Sequence, residues 1–143
     1  MEDLERFVAA QDELGTYGRA LAELRRGNKT GHWMWFIFPQ VAGLGLSAMS
    51  QRYAIGSLAE ARAYLAHPVL GRRLRECATV LAETRGRTAE QILGSIDAIK
   101  LRSSMTLFLR ADPEETLFQR VLDAYFGGVA DGATDRLLSP SRG

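Results

Sequence analysis

The spacing of apolar positions predicts a chain built from short helices. Apolar residues recur at intervals of three and four in five stretches, which begin near Leu4, Tyr17, Ala61, Val69 and Leu117. No stretch alternates apolar and polar residues as a half-buried strand does, and no Asn-Gly pair marks a hairpin. We therefore expect a compact all-α bundle of about seven or eight short helices. It should form a single helical domain over residues 1–138, followed by a flexible tail at 139–143.

Capping residues predict where several helices begin and end. Starts are expected at the Ser57–Glu60 pair, which has the spacing of a capping box, and at the similar Thr88–Gln91 pair. Asp112–Glu115 combines an N-cap, a proline and first-turn acids, and predicts a third start. Ends are expected at Gly27 and Gly127, because glycine favours the left-handed helix cap.

The longest apolar run covers residues 33–38 and holds both tryptophans, Trp33 and Trp35. It is too short to cross a bilayer, which needs about 20 residues. An all-apolar run does not show whether it forms a helix or a buried strand. One interpretation is a fully buried core segment. The other places His32, one tryptophan and Gln40 at the mouth of an apolar pocket, and both interpretations can hold together.

Two segments rich in glycine and small polar residues, 39–50 and 127–136, are predicted to be irregular. Binding residues are often carried by such loops on a rigid scaffold. The first segment contains Gly43-Leu44-Gly45, which is similar to the start of a dinucleotide-binding loop. It lacks the third glycine and a clear preceding strand, so we do not interpret it as one.

Composition narrows the possible partners. The net charge of +1 provides no general attraction to nucleic acid or to an anionic membrane. Cys77 is the only cysteine, which excludes an intrachain disulfide and fits a reducing compartment. The acidic N-terminus lacks the features of a signal peptide. We therefore expect a cytoplasmic protein without a membrane or nucleic-acid partner. With two histidines far apart, we also expect no metal site and no cofactor.

A second informative segment begins at Asp97. Asp97 and Lys100 would share a helix surface as an ion pair, and two serines, Ser103 and Ser104, follow. Either serine could cap a short helix beginning at Met105. Two cations beside a hydroxyl-rich helix start, here Lys100 and Arg102, are also what binding of a phosphate or carboxylate requires. Both interpretations stay open.

These motifs resemble an uncharacterised bacterial family known as domain of unknown function 1810, of which some members carry an unsupported calpastatin label. The resemblance rests on the segment 32–40, Gly43-Leu44-Gly45, His67-Pro68 and the segment 103–108, and it extends over residues 3–138. It implies a mainly helical domain and no established activity. The order of features is also loosely similar to that of the helical family that acts on ADP-ribose and related N-glycosides.

Two functional hypotheses follow. The first is a small-molecule site for a nucleotide- or ADP-ribose-like anion, with N-glycoside hydrolysis as a candidate reaction and Asp97 as its acid or base. Its binding residues would be His32, Trp33, Trp35, Gln40, Tyr53, Lys100, Ser103 and Ser104. The second is a helical protein-interaction module without catalysis, in which the same residues stabilise the fold and the protein partner is unspecified. The sequence alone does not decide whether the chain is an enzyme.

Overall fold

The computed structural model describes residues 3–139, which form ten α-helices and one 3-10 turn at Glu13–Gly15. The helices are α1 Glu5–Asp12, α2 Thr16–Arg26, α3 Met34–Ile37, α4 Ala48–Arg52, α5 Leu58–Ala66, α6 Leu70–Glu83, α7 Ala89–Leu93, α8 Ser95–Ala111, α9 Leu117–Phe126 and α10 Gly132–Leu138. The only β pairing within 3–139 is an isolated parallel bridge. The predicted all-α class is confirmed, with two or three more helices than expected. In this part of the chain no helix has the length and hydropathy needed to span a membrane.

The central element is α8, which packs against α5, α7, α9 and α10. Every residue from Ser103 to Leu109 is buried. The predicted new helix start at Ser103 or Ser104 is therefore wrong, because α8 runs through both residues. The Ser103 hydroxyl lies 3.2 Å from the Ile99 carbonyl, and Thr106 Oγ1 donates to the Arg102 carbonyl at 2.8 Å. Such bonds to the preceding turn let hydroxyl residues remain inside a packed helix.

Most predicted helix ends are present. Gly27 and Gly127 terminate α2 and α9 in the left-handed conformation. Thr88 caps α7 with both hydrogen bonds of a capping box. Ser57 also caps α5, but the Glu60 carboxylate accepts from the amide of the residue before Ser57, so that box is not reciprocal.

Two predictions near the C-terminus are wrong. The segment Asp112–Glu115 forms a turn and not a helix start, and α9 begins at Leu117. The reason is tertiary, since the Glu115 carboxylate binds the Arg75 guanidinium at 2.8 Å. The segment 127–136 is irregular only up to Asp131, which caps α10 by accepting from the Thr134 amide. Of the predicted tail, Ser139 is the C-cap of α10, and residues 140–143 lie outside the described part.

The apolar run forms the single helical turn α3, in which Met34, Phe36 and Ile37 are buried. The chain stays buried at Phe38 and Val41, and hydrogen bonds to Ile55 hold its backbone on both sides of the isolated bridge. The Ile55 amide donates to the Gln40 carbonyl at 2.9 Å, and the Ala42 amide donates to the Ile55 carbonyl at 2.8 Å. These bonds fix the start of the loop that carries the Gln40 side chain.

Candidate functional site

A cleft of about 290 Å³ opens between α8, the loop 40–47 with the first turn of α4, and the start of α10. The predicted irregular segment 39–50 is therefore helical from Ala48 onward. Its volume lies near the lower limit of about 300 Å³ for ordinary small-molecule sites. Its polar lining consists of Gln40, Ser50, Lys100, Ser103 and Asp131. Its apolar lining includes Leu44, Ile96, Ile99 and Ala133. The cleft thus combines an apolar wall with a few polar groups, as expected of a ligand site.

One wall of the cleft is a single face of α8. Ile96, Ile99, Lys100 and Ser103 are spaced by three or four residues, so their side chains follow one another along that face. The two isoleucines are 70% and 65% exposed, respectively. Neither is covered by the rest of the described chain, so both are available to an apolar group of a ligand.

Lys100, the cation on this face of α8, belongs to a cluster of charged side chains. Lys100 Nζ lies 3.7 Å from Asp97 Oδ1, and Lys29 Nζ lies 2.8 Å from Asp97 Oδ2. Lys100 Nζ also lies 5.1 Å from the centre of the Trp35 ring, within the range of a cation–π contact. One carboxylate between two ammonium groups leaves a net charge of +1, which favours an anion beside Lys100.

Lys29 is a member of this cluster that the sequence interpretation missed. Its ammonium donates to the Gly31 carbonyl at 2.6 Å and lies 5.0 Å from the Trp33 ring centre. Its backbone amide donates to the Ile92 carbonyl at 2.7 Å. No spacing rule links Lys29 to Asp97, because the contact depends on how the loop after α2 packs beside α7 and α8.

Asp131 is the second missed residue, and it faces the cleft. Its carboxylate accepts from the Thr134 amide at 3.0 Å and from the Thr134 hydroxyl at 2.5 Å, and the Ser103 hydroxyl lies at 3.2 Å. All three contacts end on Oδ2. Asp131 lies in the glycine-rich segment 127–136, so the predicted loop character was the available signal for this residue.

The structure brings part of the predicted site together. Gln40, Lys100 and Ser103 line the same cleft, although Gln40 comes from a different part of the chain. Trp35 and Asp97 do not line it, but both contact Lys100 and hold its side chain in place. These five residues form a connected group.

The other four predicted residues lie elsewhere. His32 is exposed and is not part of the cleft lining. Trp33 is 1% exposed, and its indole N–H donates to Glu23 Oε1 at 2.9 Å. Tyr53 is buried with its ring 5.3 Å from that of Phe36. Ser104 is completely buried. Trp33, Tyr53 and Ser104 therefore belong to the core.

Comparison with known proteins defines the family. The family model described as protein of unknown function DUF1810 matches residues 1–138. The chain belongs to this family. It is also similar to the conserved hypothetical protein Rv1873 from Mycobacterium tuberculosis, whose crystal structure was determined at 1.38 Å. The two share 49% identity, the match covers 97% of this chain and 98% of that one, and the TM-score is 0.94. No curated protein sequence matches the chain.

The two glycines of the segment Gly43-Leu44-Gly45 have packing roles. Gly43 has a φ of +103°, and Leu137 packs directly over it. A Cβ atom at Gly45 would lie 2.5 Å from the Ser50 side chain, which lines the cleft beside it. The motif therefore shapes the wall of the cleft, and the structure provides no dinucleotide loop here.

A second concavity, of about 230 Å³, is lined by Arg62, Arg75 and Asp112. Its guanidinium groups already have internal partners. Arg75 binds the Glu115 carboxylate, and Arg62 donates to the Ala111 carbonyl at 3.2 Å. These contacts close the end of α8, so we assign the concavity a structural role.

Cys77 and His67 contribute no chemistry to the cleft. Burial raises the pKa of the Cys77 thiol to about 12, so the nucleophilic thiolate is not populated at neutral pH. His67 Nδ1 accepts from the amides of Val69 and Leu70 at 3.1 and 3.2 Å. The imidazole is therefore a cap at the start of α6.

The adjacent serines of α8 provide a matched test of these assignments. The Ser104 hydroxyl has no hydrogen-bond partner among the described residues, and an unsatisfied buried hydroxyl is destabilising. We expect Ser104→Ala to leave the free energy of unfolding unchanged or to raise it by up to about 1 kcal/mol. Ser103→Ala should lower it by about 0.5–1.5 kcal/mol, because the hydroxyl contacts Ile99 and Asp131. Urea unfolding measures both, and a clear loss for Ser104→Ala would contradict its assignment.

Proposed function

We propose that the protein binds a nucleotide-like anion in the cleft of about 290 Å³. The proposal rests on one observation: Gln40, Lys100 and Ser103 all line this cleft. The sequence predicts each of these residues as a contact of such a ligand. Their convergence in one cleft is expected of a binding site and is not needed for helix capping.

The chemistry of the lining fits the parts of a nucleotide. The Lys100 ammonium, with the net positive charge of its cluster, provides a partner for phosphate. The exposed side chains of Ile96 and Ile99 offer an apolar surface to a base. The Gln40 amide and Ser50 hydroxyl can donate to or accept from sugar hydroxyls. The cleft volume suits a mononucleotide, so a larger molecule such as ADP-ribose would extend beyond it.

The mode of anion binding differs from the one the serines suggested. The backbone amides of Ser103 and Ser104 lie inside α8, so they are engaged in the helix and do not form an anion-binding helix start. The phosphate would therefore bind the Lys100 ammonium and not these amides, and the Ser103 hydroxyl stays with the Ile99 carbonyl and the Asp131 carboxylate.

Hydrolysis of an N-glycosidic bond stays a prediction from the sequence. The carboxylate chosen for it, Asp97, lies against Lys29 on one oxygen and Lys100 on the other, and it does not line the cleft. These contacts support a positioning role for Asp97, in which it orients Lys100. Chromatography for released free base after incubation with nucleotides tests the reaction itself.

The exposed isoleucines also favour a second candidate function, the non-catalytic interaction module. Ile96 and Ile99 lie on one face of α8, and Leu46, in the loop beside Gly45, is 83% exposed. Clustered exposed apolar side chains are typical of sites that dock a partner. A protein partner would need this apolar surface but not the Lys100 cluster, which separates the two candidates experimentally.

A melting-temperature screen tests the binding proposal. The compounds are the four ribonucleoside monophosphates, ADP-ribose and ribose 5-phosphate. A ligand present at about 100 times its Kd should stabilise the native state by about 2.7 kcal/mol. Lys100→Met keeps the apolar stem and removes the charge, so the shift should be lost. Lys29 still pairs with Asp97 in this variant, so the unliganded melting temperature should fall only slightly.

The matched control is Ser104→Ala, which changes the same helix without touching the cleft. It should retain the full ligand-induced shift of the parent. If no compound raises the melting temperature, the nucleotide proposal is wrong and the interaction module gains support. An undiminished shift in Lys100→Met would also contradict the proposed site.

A further inference from the structure

We infer that Asp131 is a second recognition group in the cleft and that it selects ligands with free ribose hydroxyls. This inference rests on the proposed nucleotide site and specifies its substrate class. Asp131 lines the cleft together with Lys100 and Ser103, so a bound ligand faces a cation and a carboxylate at once.

The position of Asp131 is fixed by α8. Its backbone amide donates to Thr106 Oγ1 at 2.8 Å. Arg102 donates to the carbonyls of the two preceding residues, Val129 at 2.8 Å and Ala130 at 3.1 Å. Because side chains of one rigid helix hold this loop, the carboxylate keeps a defined place relative to Lys100 on the same helix. A preorganised group of this kind binds without a large cost in ordering.

The carboxylate has remaining capacity to accept hydrogen bonds. Its contacts with Thr134 and Ser103 all end on Oδ2, whereas Oδ1 has no hydrogen bond within residues 3–139. An ionised carboxylate only accepts, so the ligand group opposite Asp131 must be a donor. A phosphate is excluded from this end of the cleft by charge repulsion.

Ammonium groups, the N–H groups of a base and hydroxyl groups can all donate to a carboxylate. The Lys100 cation in the same cleft disfavours an ammonium ligand. The neutral hydrogen-bonding groups of Gln40 and Ser50 on the lining match hydroxyls, which both donate and accept. A ligand with a phosphate for Lys100 and vicinal hydroxyls for Asp131 satisfies both charges, and a ribonucleotide has this composition.

The test compares each ribonucleoside monophosphate with its 2′-deoxy counterpart by calorimetry on the parent and on Asp131→Asn. Asparagine is as good an N-cap as aspartate, so α10 should be retained. The parent should bind a ribonucleotide about ten-fold or more tightly than its deoxy form, as expected for loss of a hydrogen bond to a charged group. Asp131→Asn should weaken ribonucleotide binding by a similar factor and weaken deoxynucleotide binding, which retains only the 3′-hydroxyl, by clearly less.

Asp135→Asn is the matched control, because Asp135 lies on the helix that Asp131 caps but pairs with Arg110 at 2.8 Å, away from the cleft. It should bind both nucleotides as the parent does. Equal affinity of the parent for ribo and deoxy forms overturns the inference about Asp131 while leaving the nucleotide site intact. If none of the nucleotides binds the parent, the proposed function itself fails. The comparison on the parent decides the question even if Asp131→Asn does not fold.

Discussion

Trp33→Ala should lower the free energy of unfolding by about 3–5 kcal/mol, the usual cost of removing a fully buried large aromatic ring. The Trp33 ring is 1% exposed, packs against Phe38 and donates its indole N–H to Glu23. Trp35→Ala should cost clearly less, because that ring is only partly buried and contacts the Lys100 ammonium. Urea unfolding of both variants, followed by circular dichroism, measures the difference.

Trp33→Phe serves as the control for this prediction. It keeps an aromatic body in the core and removes the N–H group, so its loss of stability should lie between the parent and Trp33→Ala. Equal losses in Trp33→Ala and Trp35→Ala would contradict the assignment of Trp33 as the core anchor of the aromatic run.

Glu23→Ala is expected to cost about 2–4 kcal/mol, because it leaves several donors without their acceptor. Glu23 is 7% exposed, and its Oε1 accepts from the Thr30 and Gly31 amides at 2.8 Å and from the Trp33 indole at 2.9 Å. These bonds close the loop that carries Lys29. Glu23→Gln keeps one acceptor oxygen and should cost less, and urea unfolding at neutral pH compares the two.

The same carboxylate should make stability depend on pH. Burial alone would raise the pKa of Glu23, but the hydrogen bonds from Gly31, Thr30 and Trp33 outweigh it and lower the pKa below its ordinary value. A group with a lowered folded-state pKa stabilises the fold above its unfolded pKa, about 4.3 for glutamate. That contribution is lost as the pH falls through the folded-state pKa.

Comparing the parent with Glu23→Gln separates the contribution of Glu23 to the free energy of unfolding from the contributions of the other carboxylates. The parent should be the more stable protein at neutral pH, and the difference should shrink as the pH is lowered below about 4.3. Unfolding in urea across this pH range measures it. A difference that stays constant or grows on acidification would contradict the lowered pKa.

The helical class and many helix ends could be predicted from the sequence because they depend on local rules. Gly27, Gly127, Ser57 and Thr88 act through bonds to their own helix, so a short segment contains the information. The predicted start at Asp112–Glu115 failed because Glu115 binds Arg75 from another helix. Such a tertiary contact overrides a local propensity and leaves no trace in residue spacing.

The candidate site was predicted in part for a similar reason. Ser103 and Ser104 are neighbours in sequence, but successive residues of a helix point about 100° apart. Ser103 therefore reaches the cleft while Ser104 points into the core. Because α8 is surrounded by four helices, its apolar pattern does not show which narrow face stays open. Lys29 and Asp131 depend on the folding of loops onto α8, which no periodicity describes.

The attachment of the Asp131 loop to α8 has a thermodynamic consequence. Arg102, Ser103 and Thr106 hold this loop, and Asp131 in turn caps α10. Local opening that detaches α10 from α8 would therefore remove one side of the cleft without unfolding the core. Docking of α10 and occupation of the cleft are then linked equilibria, so each stabilises the other by the same free energy. A ligand that contacts both Lys100 and Asp131 would hold the central helix α8 and the final helix α10 together.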